Sequence, residues 1–279
     1  MPYSAEISRA NPTCFLFLID QSGSMADVFP SEGPKRKADG VADAINKLLQ
    51  TLVIRCAKEE GVRDYFHVGV IGYGASVGPA FGGGLSGREL APISEIAISP
   101  VRVEERAKKV DDGAGGLVDQ KVRFPIWFDP TTGGGTPMCQ ALGQGKRILQ
   151  QWISQHATSF PPVVIHITDG ESTDGDPSQA MRELTALTSN DGSVLLFNLH
   201  LSSNPNAVST AFPDSSSQLP DQFARALFDG ASVLTPFMRN VASEHGFTLG
   251  EGAKCFVLNA ELVLVIQALD IGTRPSNLR

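Results

Sequence analysis

The sequence predicts an α/β fold of the Rossmann-like, doubly wound kind, with a mostly parallel central sheet and helices on both faces. Three observations support this prediction. Short apolar segments alternate with longer segments of helical period along most of the 279 residues. The apolar segments are nearly continuous, as expected for strands covered on both faces. Several of them end in Asp, Thr or Gly just before a helical segment, where such sheets carry their ligand-binding loops.

The individual strands and helices follow from the apolar segments and from the segments of helical period. The first predicted strand, residues 14–19, is an apolar run that ends at Asp20. A helix over 41–56 follows, because Val41, Ile45 and Leu48 keep the spacing of one amphipathic face. Further strands are predicted over 65–72, 163–167, 194–199 and 255–258. Further helices are predicted over 138–153, 179–187, 221–228, 236–244 and 261–269.

Residues 78–130 interrupt this alternation. The segment is rich in glycine, carries mixed charges over 104–112, and contains two β-like pieces at 93–98 and 122–128. We interpret it as an edge strand plus an elaborated surface insertion. Neither an internal repeat nor a linker divides the sequence. Residues 1–279 are therefore predicted to form a single domain, with its core over about 13–273 and the insertion over about 78–130.

Composition narrows the function. Hydrophobic residues make up 42% of the chain, enough for a buried core, and the formal net charge is −7. This charge gives no reason to expect nucleic acid or an anionic membrane as partner. The four cysteines form no CxxC pair, which favours buried, reduced thiols. With no signal-like amino terminus and no apolar stretch of the ~20 residues that span a bilayer, the cytoplasm is the expected location.

Three predicted strand-to-helix connections carry oxygen-bearing side chains. The first follows the strand over 14–19 and contains Asp20, Ser22 and Ser24. The second contains Thr136 after three glycines and precedes a helix, and the third contains Asp169 directly after the strand over 163–167. Ligands of open parallel sheets bind at the carboxyl ends of the strands, so we expect the two carboxylates to share one crevice.

These five side chains offer only oxygen ligands, which suits a hard cation such as Mg²⁺, Mn²⁺ or Ca²⁺. Three of them are neutral hydroxyls, so the two carboxylates only balance the charge of the ion. The ion would stay electrophilic, with room for water or a carboxylate from outside. This shortage of protein charge favours a recognition role over a purely structural one.

The same residues resemble a known motif. Residues 20–24 (DQSGS) match the DxSxS element of von Willebrand factor A (vWA) domains, Thr136 in GGGTP matches their threonine loop, and Asp169 in ITDG matches their third loop. Together they resemble the complete metal-ion-dependent adhesion site (MIDAS) of that family. The resemblance covers roughly residues 13–273. Segment 118–142 is similar to soluble bacterial members associated with tellurite resistance and stress operons.

The resemblance implies a vWA fold and a role for each site residue. Ser22, Ser24 and Thr136 would bind the cation directly or through water, and Asp20 and Asp169 would contact it or support its other ligands. It also implies that an aspartate or glutamate of a partner completes an octahedral shell. Unlike the adhesion receptors of the family, this chain carries no signs of an extracellular setting.

Other features have simpler interpretations. Taken alone, residues 20–24 could be a helix-capping turn. Segment 70–78 follows a strand, but its third glycine comes one position too late for a dinucleotide fingerprint. The acidic residues over 169–176 lack EF-hand spacing and are interpreted as a solvated loop. His166, inside an apolar strand, is typical of a hydrogen-bonded core imidazole, and Cys139 would need a nearby base and an exposed thiolate to react.

The sequence therefore predicts a metal-dependent protein-interaction module that is not an enzyme, with Mg²⁺ as the expected ion. The predicted partner is a protein that supplies an acidic residue. The resemblance to stress-operon proteins suggests a kinase, phosphatase or ATPase of the same operon. The alternative is a metal-dependent hydrolase or phosphoryl-transfer enzyme that uses the same cation. Against it, no general base or second metal cluster accompanies the motif.

Overall fold

Strands and helices alternate along the chain. The computed structural model describes residues 3–29, 33–111, 117–201 and 208–275. The helices are α1 (Lys37–Cys56), α2 (Ile93–Ile98), α3 (Met138–Gln155), α4 (Ser178–Thr185), α5 (Gln222–Gly230), α6 (Pro236–Glu244) and α7 (Leu262–Thr273). The strands are β1 (Thr13–Asp20), β2 (Ala57–Lys58), β3 (Gly61–Val62), β4 (Phe66–Tyr73), β5 (Val77–Pro79), β6 (Ala91–Pro92), β7 (Arg102–Asp111), β8 (Leu117–Ile126), β9 (Val163–Thr168), β10 (Thr188–Ser189), β11 (Gly192–Ser193), β12 (Leu195–Leu201), β13 (Thr210–Ala211) and β14 (Phe256–Ala260). Among these described helices, none combines the length and apolarity needed to cross a membrane.

A central sheet collects eight of the described strands, in the order β13-β14-β12-β9-β1-β4-β5 with β6 also beside β4. β1 pairs in parallel with both β4 and β9, and β12 pairs in parallel with β9 and β14. β13, β5 and β6 pair antiparallel with their neighbours. The predicted doubly wound, mostly parallel α/β fold is confirmed. The strand β5 at the edge of this sheet lies at residues 77–79, outside both β-like pieces predicted for the segment 78–130.

Both faces of the sheet are covered because the side chains of each strand alternate. In β1, Phe15 and Phe17 pack on the face that holds α1, α6 and α7, while Leu16 and Leu18 pack on the face that holds α3, α4 and α5. Every residue of β1 is buried. This double burial explains why the strand is a continuous apolar run rather than an alternating one.

The direction of the connections places a crevice at one end of the sheet. β1 leads to α1 on one face, and the adjacent strand β9 leads to α4 on the other. Where neighbouring parallel strands send their connections to opposite faces, the loops separate and leave a cleft at the carboxyl ends of the strands. Asp20 ends β1, and Asp169 follows the last residue of β9.

The segment 78–130 differs in part from its prediction. Residues 93–98, predicted as β-like, form helix α2, so that prediction was wrong. Ile93 and Ile96 are buried one helical turn apart, Ile98 is exposed, and the Asp64 carboxylate accepts from the backbone N–H of Ser94 at 2.9 Å. The second piece, 122–128, falls largely within β8. This strand pairs antiparallel with β7 in a two-stranded ribbon outside the central sheet.

Candidate metal centre

Three loops meet at the cleft: a first loop (residues 21–24) after β1, a second loop (131–137) before α3, and a third loop (169–177) after β9. Hydrogen bonds join the first two loops in both directions. The Gly133 N–H donates to the Gln21 carbonyl at 2.7 Å, and the Gly23 N–H donates to the Gly134 carbonyl at 3.2 Å. The second loop is therefore brought to the end of β1 by backbone contacts that involve none of the proposed ligand side chains.

Glycine is required where these loops pass the end of β4. A Cβ on Gly74 would lie 2.6 Å from the carbonyl oxygens of both Gln21 and Gly133. Real Cβ atoms do not approach backbone this closely, so any side chain here would push the loops apart. Gly134 adopts φ +79° in the same contact, a conformation that favours glycine.

The third loop is tied to the second through two threonines. The backbone N–H of Thr136 donates to Thr173 Oγ1 at 2.9 Å, and the Thr173 N–H donates to the Thr136 carbonyl, also at 2.9 Å. A Cβ on Gly170 would lie 3.9 Å from both Ser24 Oγ and Thr136 Oγ1. The hydroxyls of the first and second loops thus face the same small region beside the third loop.

The five predicted site residues lie together at this point. Ser22 Oγ and Ser24 Oγ are 3.0 Å apart, and Ser24 Oγ donates to Asp169 Oδ1 at 2.7 Å. The backbone N–H of Ser22 donates to Asp20 Oδ1 at 2.8 Å. Asp20, Ser22, Thr136 and Asp169 are buried, whereas Ser24 is exposed. Solvent therefore reaches the cluster on the side of Ser24.

Thr168 and Lys37 complete the cluster, and the sequence interpretation gave neither of them a role. Thr168 Oγ1 donates to Asp20 Oδ2 at 2.7 Å, so both oxygens of that carboxylate have a donor. The Lys37 ammonium lies 2.8 Å from Asp169 Oδ2, and both side chains are fully buried. A signal for Lys37 was present, because residues 37, 41 and 45 fall on one helical face whose other members are apolar.

Burial dominates the electrostatics of the first carboxylate. It raises the pKa of Asp20 above its usual range, and the nearby charge of Asp169 raises it further. Hydrogen bonds from Ser22 and Thr168 lower the pKa and offset part of this effect. Burial also lowers the pKa of His200, which stays neutral near Asp169 and Lys37. The basic group in direct contact with Asp169 is the Lys37 amine.

A buried hydrogen-bonded chain lies behind the cluster. Tyr73 Oη is 2.6 Å from His166 Nε2, and His166 Nδ1 is 2.9 Å from Asn198 Oδ1. The Asn198 amide donates onward to the Leu227 carbonyl at 2.7 Å. Burial lowers the pKa of His166 to about 4, so the ring is neutral with both nitrogens engaged. This agrees with the core role predicted for His166.

The acidic residues of the third loop have structural partners. Asp174 accepts from the backbone N–H groups of Cys139 and Gln140, at 3.0 and 2.9 Å, and so caps the start of α3. Asp176 accepts from the Ser178 N–H at 2.9 Å at the start of α4. Burial raises the pKa of Cys139, which keeps the thiol protonated. Within the described residues, no group of three or more His, Cys, Asp or Glu could hold a metal ion, so the candidate centre depends on its hydroxyls.

Comparisons with known proteins give only distant matches. No protein-family model matches the chain, and no curated protein matches it. Among solved structures, it is similar to the ArnB paralog VWA2 from Sulfolobus acidocaldarius, with 13% identity and a TM-score of 0.34 over 70% of this chain and 36% of that one. It is also similar to the vWF domain of the type V pili tip protein Mfa5 from Porphyromonas gingivalis, with 13% identity and a TM-score of 0.30 over 58% of this chain and 39% of that one. A third is the pilus adhesin RrgA from Streptococcus pneumoniae, with 18% identity and a TM-score of 0.32 over 61% of this chain and 22% of that one.

Two of these three proteins are named for a vWA or vWF domain. Likenesses this distant do not assign the chain to a family. The aligned region covers 36% of the archaeal protein and 22% of the pneumococcal adhesin. What those whole proteins do therefore does not pass to this chain.

Proposed function

We propose that the chain is a vWA-type interaction module that binds one divalent cation through Asp20, Ser22, Ser24, Thr136 and Asp169. Mg²⁺ is the expected ion, with Mn²⁺ or Ca²⁺ as alternatives. The bound ion would in turn bind an acidic residue of a partner protein. The observation that carries the proposal is the meeting of three separate loops, which brings two buried carboxylates and three hydroxyls to one point at the end of the sheet.

The residues present fit a hard cation. All five side chains offer oxygen, as Mg²⁺ prefers. Each oxygen of Asp20 already accepts a hydrogen bond, and so does each oxygen of Asp169. We therefore expect the hydroxyl oxygens to supply the direct contacts, while the carboxylates orient those hydroxyls and balance the charge. When bound, the ion would supply an electrophilic position for an outside oxygen ligand.

Binding is favoured over catalysis by what surrounds the centre. The carboxylates are held by protein donors, and His166 has both ring nitrogens engaged. None of these groups is placed to take a proton from a water molecule. A partner among the kinases, phosphatases or ATPases of a bacterial stress operon is a further part of the proposal, and it rests on the sequence resemblance alone.

Isothermal titration of the metal-stripped chain with Mg²⁺ and Mn²⁺ tests the metal site. We expect one ion per chain and at least a tenfold loss of affinity in Asp20→Ala and in Thr136→Ala. Asp119→Ala, which removes an exposed carboxylate on β8, is the matched control and should bind as the wild type does. Equal metal binding by all four proteins would refute the assignment.

The interaction role needs a second experiment. Partners captured from a lysate of the source organism should be released by EDTA and absent with Asp20→Ala. Phosphatase and nuclease activity should be screened in parallel with Mn²⁺. Turnover that Asp169→Ala abolishes would favour the hydrolase or phosphoryl-transfer alternative instead.

A further inference from the structure

A buried positive charge belongs to the candidate metal centre. The Lys37 ammonium lies 2.8 Å from Asp169 Oδ2, with both side chains fully excluded from solvent. The Lys37 backbone N–H donates to the Asp27 carbonyl at 2.8 Å, directly after the 3₁₀ turn Gly23–Ala26 that contains Ser24. The lysine is therefore held by the same stretch of chain that supplies the hydroxyl ligands.

Helix α1 by itself does not favour a lysine at this position. Lys37 lies on the buried face of α1, where an apolar side chain would cost nothing in desolvation. A positive charge in the first turn of a helix also opposes the helix dipole. The neighbouring Lys35 and Arg36 pair with Asp43 and Asp39 near the surface. Burial of the third basic residue thus indicates a role at Asp169.

Lys37 changes the net formal charge of the centre. Asp20 and Asp169 carry two negative charges, and Lys37 cancels one of them. A divalent cation in the centre would leave one surplus positive charge with Lys37 present and none without it. Since the region is buried, this surplus is poorly screened by water. An anionic ligand from outside is the group that can neutralise it.

We propose that Lys37 is the specificity-determining residue of the centre: it offsets the negative charge of Asp169, weakens metal binding in the absence of ligand, and makes metal and carboxylate bind more cooperatively. This inference rests on the proposed metal-binding function and deepens it. By thermodynamic linkage, a carboxylate that tightens metal binding by some factor is itself bound more tightly by the same factor when metal is present. Without Lys37, that coupling factor should be smaller.

The test measures Mn²⁺ affinity by titration calorimetry, with acetate as the carboxylate probe and acetamide as its neutral counterpart at equal ionic strength. In the wild type, acetate should tighten Mn²⁺ binding and acetamide should not. In Lys37→Met, we expect roughly tenfold tighter Mn²⁺ binding without acetate, equivalent to about 1.4 kcal/mol, and a smaller gain on adding acetate than in the wild type. Lys146→Met, which removes a surface lysine paired with Glu183, is the matched control and should behave as the wild type does.

A second pair of variants guards against loss of folding. Lys37→Met leaves the Asp169 carboxylate buried without its partner, which can destabilise the metal-free chain strongly. Asp169→Asn and the double variant Lys37→Met/Asp169→Asn remove that problem. The double variant should still bind Mn²⁺ more tightly than Asp169→Asn alone, because the ammonium repels the ion even without the carboxylate.

The outcomes separate the two proposals. Equal or weaker Mn²⁺ binding in folded Lys37→Met, or equal binding by the two Asn variants, overturns the role of Lys37 while metal binding itself stands. Absence of Mn²⁺ binding by both the wild type and Lys37→Met overturns the metal-binding function too.

Discussion

Acidification should destabilise the protein through His166. The imidazole is fully buried between the Tyr73 hydroxyl and the Asn198 side chain. Protonation would place an N–H on both ring nitrogens, so the Tyr73 hydroxyl could no longer donate to Nε2 and would have to turn to the Ile167 carbonyl, 3.4 Å away. Burial opposes the charged form and outweighs the hydrogen bond to Asn198, which favours it.

The sign and size of the effect follow from the pKa. The pKa of His166 falls from 6.5 to about 4 on folding, so the imidazole binds a proton more tightly in the unfolded chain than in the native one. The free energy of unfolding is therefore unaffected above pH 6.5 and declines as the pH falls from 6.5 towards 4. Each pH unit in that window costs about 1.4 kcal/mol, or about 2 kcal/mol by roughly pH 5.

Urea denaturation of the wild type and His166→Gln at about pH 7 and about pH 5 measures this contribution. The glutamine variant should be less stable at the higher pH, because it loses part of the hydrogen-bonded chain. Its stability should then fall by about 2 kcal/mol less than that of the wild type between the two pH values. Equal losses in both proteins would show that His166 does not take up a proton on unfolding, and would refute the reasoning.

Three further predictions concern the loops. Gly74→Ala should abolish Mn²⁺ binding measured by calorimetry, because its Cβ would collide with carbonyl oxygens of the first and second loops, whereas Gly78→Ala, with nothing within 4 Å, should bind normally. Thr168→Val should lower the free energy of unfolding, measured by urea denaturation, by about 1–3 kcal/mol and weaken Mn²⁺ binding, because Asp20 loses a buried hydrogen-bond donor. An unchanged free energy of unfolding would contradict this. Asp174→Ala should lower the free energy of unfolding by about 0.5–2 kcal/mol, because helix α3 loses its cap, and should leave the Mn²⁺ affinity unchanged. A weaker Mn²⁺ affinity would show that Asp174 belongs to the metal centre.

The sequence predicted the parallel sheet and the positions of the loops at the carboxyl ends of its strands, because both depend on local signals. A strand covered on both faces must be apolar throughout, and the residue after it marks the carboxyl edge of a parallel sheet. The strand prediction for residues 93–98 was wrong because the isoleucine spacing is ambiguous. Ile93 and Ile96 are three residues apart, as on a helix, and Ile96 and Ile98 are two apart, as on a strand. So short a segment carries too few turns to decide between helix and strand.

The missed parts of the site depend on contacts between distant elements. Lys37 looked like one member of a short basic run, and charged residues are seldom fully buried without a partner. Lys37 begins helix α1, whereas its partner Asp169 lies on the third loop, 132 residues away in the sequence. The chain of Tyr73, His166 and Asn198 likewise joins β4, β9 and β12, so it can be predicted only once the order and register of these strands are known.

The distribution of burial around the centre indicates how a partner would approach. On the inner side, the buried Lys37 donates to Asp169, and the Ser22 N–H and Thr168 hydroxyl donate to Asp20. Ser24 is exposed, and its hydroxyl joins Ser22 to Asp169 across the opening of the cluster. An ion held by these hydroxyls would meet protein on its inner side and solvent on the Ser24 side. A carboxylate that completes the shell must therefore come past Ser24, where it would face the surplus positive charge that Lys37 leaves behind the ion.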